Sequence, residues 1–231
     1  MLKINKANQF YGESHTLWDL SLEIEPAKCT CIMGRNGVGK TTLTKVIMGL
    51  LPIKSGEILY EGQDISKLSS DKRAGLGIGY VPQGREIFSN LSVKENLEIG
   101  LLGNRNNLKK VPSKIYELFP VLKEMLKRKG GDLSGGQQQQ LAIARALCIE
   151  PKLLILDEPS EGIQPNIVQQ IGGVIDYLTK EEKLTVVLVE QKLPFARKHG
   201  DSFYIIERGR KVANGDISEL SDELIKQFLS V

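Results

Sequence analysis

Gly34-Arg35-Asn36-Gly37-Val38-Gly39-Lys40-Thr41, with Thr42 directly after it, is the stretch on which the rest of the chain turns. It fits the pattern G-x-x-x-x-G-K-[ST], a glycine-rich loop that cradles phosphates. The context agrees. A short apolar run, Lys28–Met33, reads as a strand before the loop, and a helix is expected through about Met48 after it. Glycines let the backbone wrap around a phosphate, and the first N–H groups of the helix favour an anion at its positive end. In such a loop Lys40 reaches the β- and γ-phosphates, and the Thr41 hydroxyl ligates Mg²⁺.

Farther along, Leu153-Leu154-Ile155-Leu156-Asp157-Glu158 is a second apolar strand, ending in two acids. Strand ends of this kind place carboxylates at the carboxyl edge of a sheet, where ligands bind in open α/β folds. Alone the pattern is common; beside a phosphate loop it assigns Asp157 to the Mg²⁺ shell and Glu158 to the attacking water as general base. Between the two strands lies Leu133-Ser134-Gly135-Gly136-Gln137. By itself this is a glycine turn with Ser134 as a good N-cap.

The three motifs together resemble the ATP-binding-cassette (ABC) ATPases, and the resemblance covers the whole chain. It implies an α/β fold: a P-loop NTPase core with a mostly parallel sheet, an antiparallel β subdomain and a helical insert. In that family the helix opened by Ser134, Gly135, Gly136 and Gln137 points across a dimer interface at the γ-phosphate held by the other subunit. Tyr11 stands where an aromatic ring stacks on adenine. Gln83, in Tyr80-Val81-Pro82-Gln83-Gly84, matches the glutamine that joins Mg²⁺ and the attacking water to the insert. The short span between Lys40 and Ser134 leaves no room for the long coiled coil of the chromosome-maintenance and repair relatives.

Two positions depart from the family pattern. A histidine usually follows the strand corresponding to Leu184–Val189 and contacts the γ-phosphate; here the segment reads Val189-Glu190-Gln191, which makes Gln191 its replacement. The loop after Glu158 usually carries an Asp before a Pro, and here Gln164 precedes Pro165. The two histidines, His15 and His199, are expected at the surface or behind the site. Both departures bear on autonomous activity, not on nucleotide binding.

The rest of the chain fits one cassette domain over 1–231, with an α/β core at 1–84 and 152–231 and a helical subdomain at 85–151. Leu2–Ala7 and Asp19–Ile24 read as antiparallel strands with Tyr11-Gly12 in the turn, and Gly56–Tyr60 and Ile78–Val81 as further strands. From Gly84 the pattern turns helical, with a capping box at Ser92–Glu95, short amphipathic helices at Pro112–Phe119 and Val121–Lys127, and a helix from about Gly136 stopped by Pro151. Strand Leu153–Leu156, helix Pro165–Leu178, strand Leu184–Val189, helix Pro194–Lys198 and strand Phe203–Ile206 follow, a rhythm that implies a parallel sheet covered on both faces.

Composition narrows the function classes. The 231 residues carry a net charge of +3 and are 41% hydrophobic, whereas a nucleic-acid binder usually shows a pI above about 9 and a basic stripe. Three cysteines do not make a disulfide framework, and Cys29, Cys31 and Cys148 read as buried thiols. A membrane-crossing helix needs about 20 consecutive apolar residues, far more than runs such as Leu153–Leu156 or Val186–Val189 supply, and Met1–Asn8 does not read as a secretory signal.

The blocks Tyr80–Phe88, Gly136–Arg145 and Glu158–Pro165, with Met33–Gly39, look like the ATP-binding subunit of bacterial urea importers. The sibling is the ATPase pair of branched-chain amino-acid importers, which also tends to carry Gln after Val-Glu. The resemblance thus implies an ATP-hydrolysing subunit at the cytoplasmic face of the membrane, with ATP and Mg²⁺ bound. Its partners are integral membrane permease subunits, a related ATPase completing a heterodimer (or a second copy in isolation) and, indirectly, an extracytoplasmic solute-binding protein; no nucleic acid is involved. Competing classes are a non-transport ABC regulatory protein, such as a translation or repair factor, and a P-loop kinase. The kinase would lack Leu133–Gln137; the factors usually carry two cassettes or an insert.

Overall fold

Cys29–Met33, Leu153–Asp157 and Thr185–Val189 are almost wholly apolar, and every residue in them is buried. Strands without an exposed face have to be covered on both sides. The computed structural model describes residues 1–104, 106 and 108–229; the remaining positions, within the expected bounds 85–151 and 152–231, lie outside the described residues.

In chain order, β1 (Leu2–Tyr11) and β2 (Ser14–Ile24) form a hairpin, and β3 (Cys29–Met33) leads into α1 (Lys40–Met48). Then come β4 (Ser55–Tyr60), β5 (Gln63–Asp64), α2 (Ser70–Gly75) and β6 (Ile78–Val81). The helical stretch holds α3 (Val93–Leu101), α4 (Ser113–Leu118), α5 (Pro120–Glu124) and α6 (Gly135–Leu147). The alternating part runs β7 (Leu153–Asp157), α7 (Pro165–Lys180), β8 (Thr185–Val189), α8 (Leu193–His199), β9 (Ser202–Glu207), β10 (Arg210–Asp216) and α9 (Asp222–Phe228).

Two sheets result. A four-stranded antiparallel sheet has the order β2-β1-β4-β5, and a six-stranded sheet the order β10-β9-β3-β8-β7-β6. In the larger sheet only β10 runs antiparallel to its neighbour. Side chains alternate across it with period two. Leu153, Ile155 and Val187 enter one core with Leu43, Val46 and Ile47 of α1 and the apolar face of the hairpin. Leu154, Leu156, Val186 and Leu188 enter the other, with residues of α3, α6 and α7. Cys29, Cys31 and Cys148 are buried free thiols.

Parallel pairing sets the functional edge. Asp157 lies opposite Val189, and Ile32 opposite the same residue on the other side. The loop after β3, the acids ending β7 and the turn after β8 therefore emerge side by side.

The structure departs from the sequence reading at identifiable places. Tyr11 ends β1 rather than sitting in the turn, which is left to Gly12 and Glu13. The unpredicted β10 is an exposed, polar edge strand, Arg210-Lys-Val-Ala-Asn-Gly-Asp216, with no apolar alternation to reveal it. The short helices α2 and α9 were likewise hidden. His199 corrects the expectation of a histidine at the surface or behind the site: it is buried between α7 and α8, with Nδ1 3.0 Å from Asp176 Oδ1 and its ring beside Phe195. Gly172 makes room for it, since a Cβ there would fall 2.3 Å from His199 Nε2.

Arg73 is buried and holds the far end of α1. Its guanidinium donates to Val46 O and Ile47 O, both at 2.8 Å, and to Leu68 O and Ser66 O. A cation at a helix C-terminus is favourable, and removing it takes a charged donor from each of these carbonyls, although Val46 O keeps the Gly49 N–H. Arg73→Met is expected to cost about 2–3 kcal/mol of stability. Denaturant midpoints check this; an unchanged midpoint would show that the four bonds contribute nothing net.

Candidate nucleotide site

Gly34 opens the loop with φ 150°, and a Cβ there would stand 2.3 Å from Ile206 O, so the chain passes too close to β9 for any side chain. Gly39, at φ 109°, caps α1 without a side-chain acceptor, which leaves the first N–H groups of the helix facing the loop. Lys40, 4% exposed, folds back over it and donates to Gly34 O at 2.9 Å and Arg35 O at 2.8 Å. Val38 O accepts from Gly209 N, tying the loop to the turn between β9 and β10.

Behind the loop stands Asp157, buried at the end of β7. Its Oδ2 accepts from Thr44 Oγ1 at 3.0 Å, while Oδ1 has no hydrogen-bond partner among the described residues. Burial raises the Asp157 carboxyl pKa against the opposing pull of the Thr44 and Thr41 hydroxyls. Burial likewise lowers that of the Lys40 ammonium, although Glu158 and Asp157 oppose the shift. Both charged forms are therefore short of solvation.

Glu158 has φ 52°, a left-handed conformation uncommon for a non-glycine residue. Several groups hold it: its N–H donates to Val189 O, its Oε1 accepts from Gln191 Nε2 and lies 3.8 Å from Lys40 Nζ, and its Oε2 accepts from Gln83 Nε2 at 3.2 Å. Gln83 also donates to Glu161 Oε2 at 2.9 Å.

These groups face a cleft of about 460 Å³. Tyr11, Asn36, Gly37, Gly39, Lys40, Thr41, Thr42, Gln83 and Glu158 line it. Tyr11 is 47% exposed at its mouth, with its hydroxyl 3.5 Å from Thr42 Oγ1. Gly34, Arg35 and Val38 shape the loop from behind, and Gln191 reaches Glu158 from the side.

Ser134, Gly135, Gly136 and Gln137 are not brought to this cleft. Ser134 caps α6 in a reciprocal capping box with Gln137, and Arg85 packs its guanidinium over Gly135. Three contributors escaped sequence reasoning: Thr16 and Glu161, which line the cleft, and Thr44, which holds Asp157. Thr44 sits four residues after Lys40 on one helix face, a spacing that could have flagged it. Thr16 carries no such signal.

The donor set suits Mg²⁺. That ion usually takes one or two carboxylates and fills its shell with phosphate oxygens and water. Asp157 offers a buried Oδ1 with no hydrogen-bond partner among the described residues, the Thr41 hydroxyl acts on the same carboxyl, and among the described residues no group of three His, Cys, Asp or Glu side chains forms a complete protein cage.

With this geometry established, the likeness to known proteins falls into place. Residues 17–161 match the model of the ABC transporter family. The chain belongs to the ABC transporter ATP-binding cassettes. Such cassettes are ATPases that power transport in company with membrane permease subunits, and among the described residues of this one no helix is long and apolar enough to cross a membrane. The cassette is 42% identical to the high-affinity branched-chain amino acid transport ATP-binding protein BraG of Pseudomonas aeruginosa, over 92% of this chain and 91% of BraG. It is 38% identical to the probable branched-chain amino acid transport ATP-binding protein LivF of Archaeoglobus fulgidus, covering 95% and 94%. The lipopolysaccharide export ATP-binding protein LptB of Escherichia coli is 34% identical, over 96% and 93%. Among solved structures, the ATP-binding cassette MJ1267 superposes with a TM-score of 0.85 at 28% identity, covering 98% and 97%. A dimeric post-hydrolysis form of the cassette MJ0796 with ADP and Pi gives 0.84 at 25% identity, covering 94% and 99%.

Proposed function

We propose that this cassette powers a branched-chain amino-acid importer. The near full-length likeness to BraG carries the reading, and it favours the amino-acid sibling over urea. The test is reconstitution with the permease subunits it co-purifies with and a leucine-binding solute-binding protein. Leucine-loaded binding protein should stimulate ATP turnover; stimulation by urea and not by leucine would overturn the assignment.

In the mechanism we propose, Tyr11 offers a ring face to adenine, and the loop 34–39 with the N–H groups of α1 wraps the phosphates. Lys40 exchanges its two loop carbonyls for phosphate oxygens, which relieves a buried ammonium of weak acceptors. Thr41, Asp157 and Gln83 would hold Mg²⁺, which would supply charge neutralisation to the phosphates. Glu158 draws the proton from the attacking water, and Gln83 and Gln191 fix its two oxygens for that role. Ser134–Gln137, remote from the cleft of their own chain, complete the site of a partner cassette. Gln191 brings a neutral amide, so a related ATPase is the fitting partner for the second site.

Coupling to the permease is assigned to a groove of about 460 Å³ where the loop after β6 meets α3 and α6, with Leu50 and Phe88 exposed in it. Arg145 lies 5.1 Å from the Phe88 ring centre and keeps one buried nitrogen, Nη1, without a hydrogen-bond partner among the described residues. Phe88→Ala should cost about 2 kcal/mol in permease affinity, as a buried aromatic anchor does, and leave ATP binding unchanged. Co-purification yield and nucleotide titration check this; equal loss of both would place Phe88 in the fold instead.

A further inference from the structure

Glu190, directly after β8, is 3% exposed and is not among the groups facing the cleft. Its carboxylate is nevertheless committed to the site. Oε1 accepts from the backbone N–H of both Gln191 and Lys192, at 2.8 and 2.9 Å. Its own N–H donates to Ile32 O at 3.2 Å, anchoring the turn to the strand that feeds the phosphate loop. From this clamped turn Gln191 donates to Glu158 Oε1, and Lys192 Nζ donates to Ser160 O at 2.7 Å in the loop beyond Glu158.

We infer that Glu190 is a positioning residue for hydrolysis: by fixing the 190–192 turn it aims the Gln191 amide at Glu158. Glu158 needs such support. A non-glycine residue at φ 52° keeps its conformation only where its surroundings over-determine it. Gln191 is exposed and its side chain has rotatable bonds, so without a fixed backbone its amide samples other directions. A carboxylate oxygen accepting two successive N–H groups removes that freedom. The inference rests on the proposed role of Glu158 as general base and adds to it the means by which that base is held.

Glu190→Leu fills the buried volume, deletes the acceptor and removes a charge whose burial opposes folding, so the variant should fold; thermal melting verifies it. ATP turnover is then measured on the full chain in its assembled transporter. The expected result is a kcat lower by about 10- to 100-fold, the scale of a small misplacement of a catalytic group, with KM for ATP within about twofold. Glu190→Gln, whose amide oxygen can accept the same two N–H groups, should recover most of kcat. In a Gln191→Ala background Glu190→Leu should add less than about twofold, because the two act in series. Unchanged kcat in Glu190→Leu, no recovery in Glu190→Gln, or full additivity with Gln191→Ala would each overturn the inference. Glu158→Gln, assayed alongside, separates the two readings: if it abolishes turnover while Glu190→Leu leaves kcat unchanged, only the positioning role fails.

Discussion

Glu158→Gln is expected to hydrolyse ATP about 10²–10⁴-fold more slowly than the native cassette, the usual worth of a positioned base, while still binding the nucleotide. The structure makes this a clean substitution. Glu158 accepts from Gln83 on one oxygen and from Gln191 on the other. A glutamine keeps one acceptor, and rotation of either neighbouring amide supplies an acceptor for the new NH₂ group. Shape and hydrogen bonding survive; basicity does not. Single-turnover kinetics with the assembled transporter would decide, and native turnover in the variant would take Glu158 out of the mechanism.

Lys40→Ala should fail earlier, at binding. A charge-assisted hydrogen bond is worth about 1.5–3 kcal/mol, so the Kd for ATP should rise about 10- to 100-fold. Loss of a charge that follows the phosphates into the transition state should take a further 10²–10³-fold or so from turnover. Lys40 is buried beside Glu158 and braces the loop through Gly34 O and Arg35 O. Lys40→Met, which retains the apolar stem, is therefore the control for loop collapse. Isothermal titration measures the effect directly: an unchanged Kd in both variants would mean that the ammonium faces the loop carbonyls in the bound state as well.

Much of this site was legible in the linear chain because its physics is local. The phosphate loop needs Gly34, where the backbone meets β9, and Gly39, at a left-handed φ ahead of α1. Lys40 and Thr41 follow at a spacing set by the first turn of that helix. Likewise Asp157 and Glu158 could be placed at a sheet edge, because a fully apolar strand that suddenly ends in acids leaves the core there. The capping box at Ser92 and the N-cap at Ser134 were readable for the same reason: the groups involved lie within one helical turn.

What the chain alone left open depended on strands that meet only in space. The pairing of β3, β7 and β8 delivers Gln191 to Glu158 and sets Glu190 beneath the turn. No local pattern marks Glu190 as buried, since an acid between Val189 and Gln191 reads as a surface residue. Thr16 and Glu161 join the cleft only because the β1–β2 hairpin and the loop after β7 are folded against its two sides. His199 is drawn inside by packing between α7 and α8 over a glycine, against the ordinary expectation for a polar residue near a helix end. The glycine loop and the Lys40 and Thr41 that line the cleft are written in the linear chain, because they form within one loop and one helical turn. Which groups hold Glu158 is fixed only on folding, because they arrive on separate strands whose register is settled by burying two faces of one sheet.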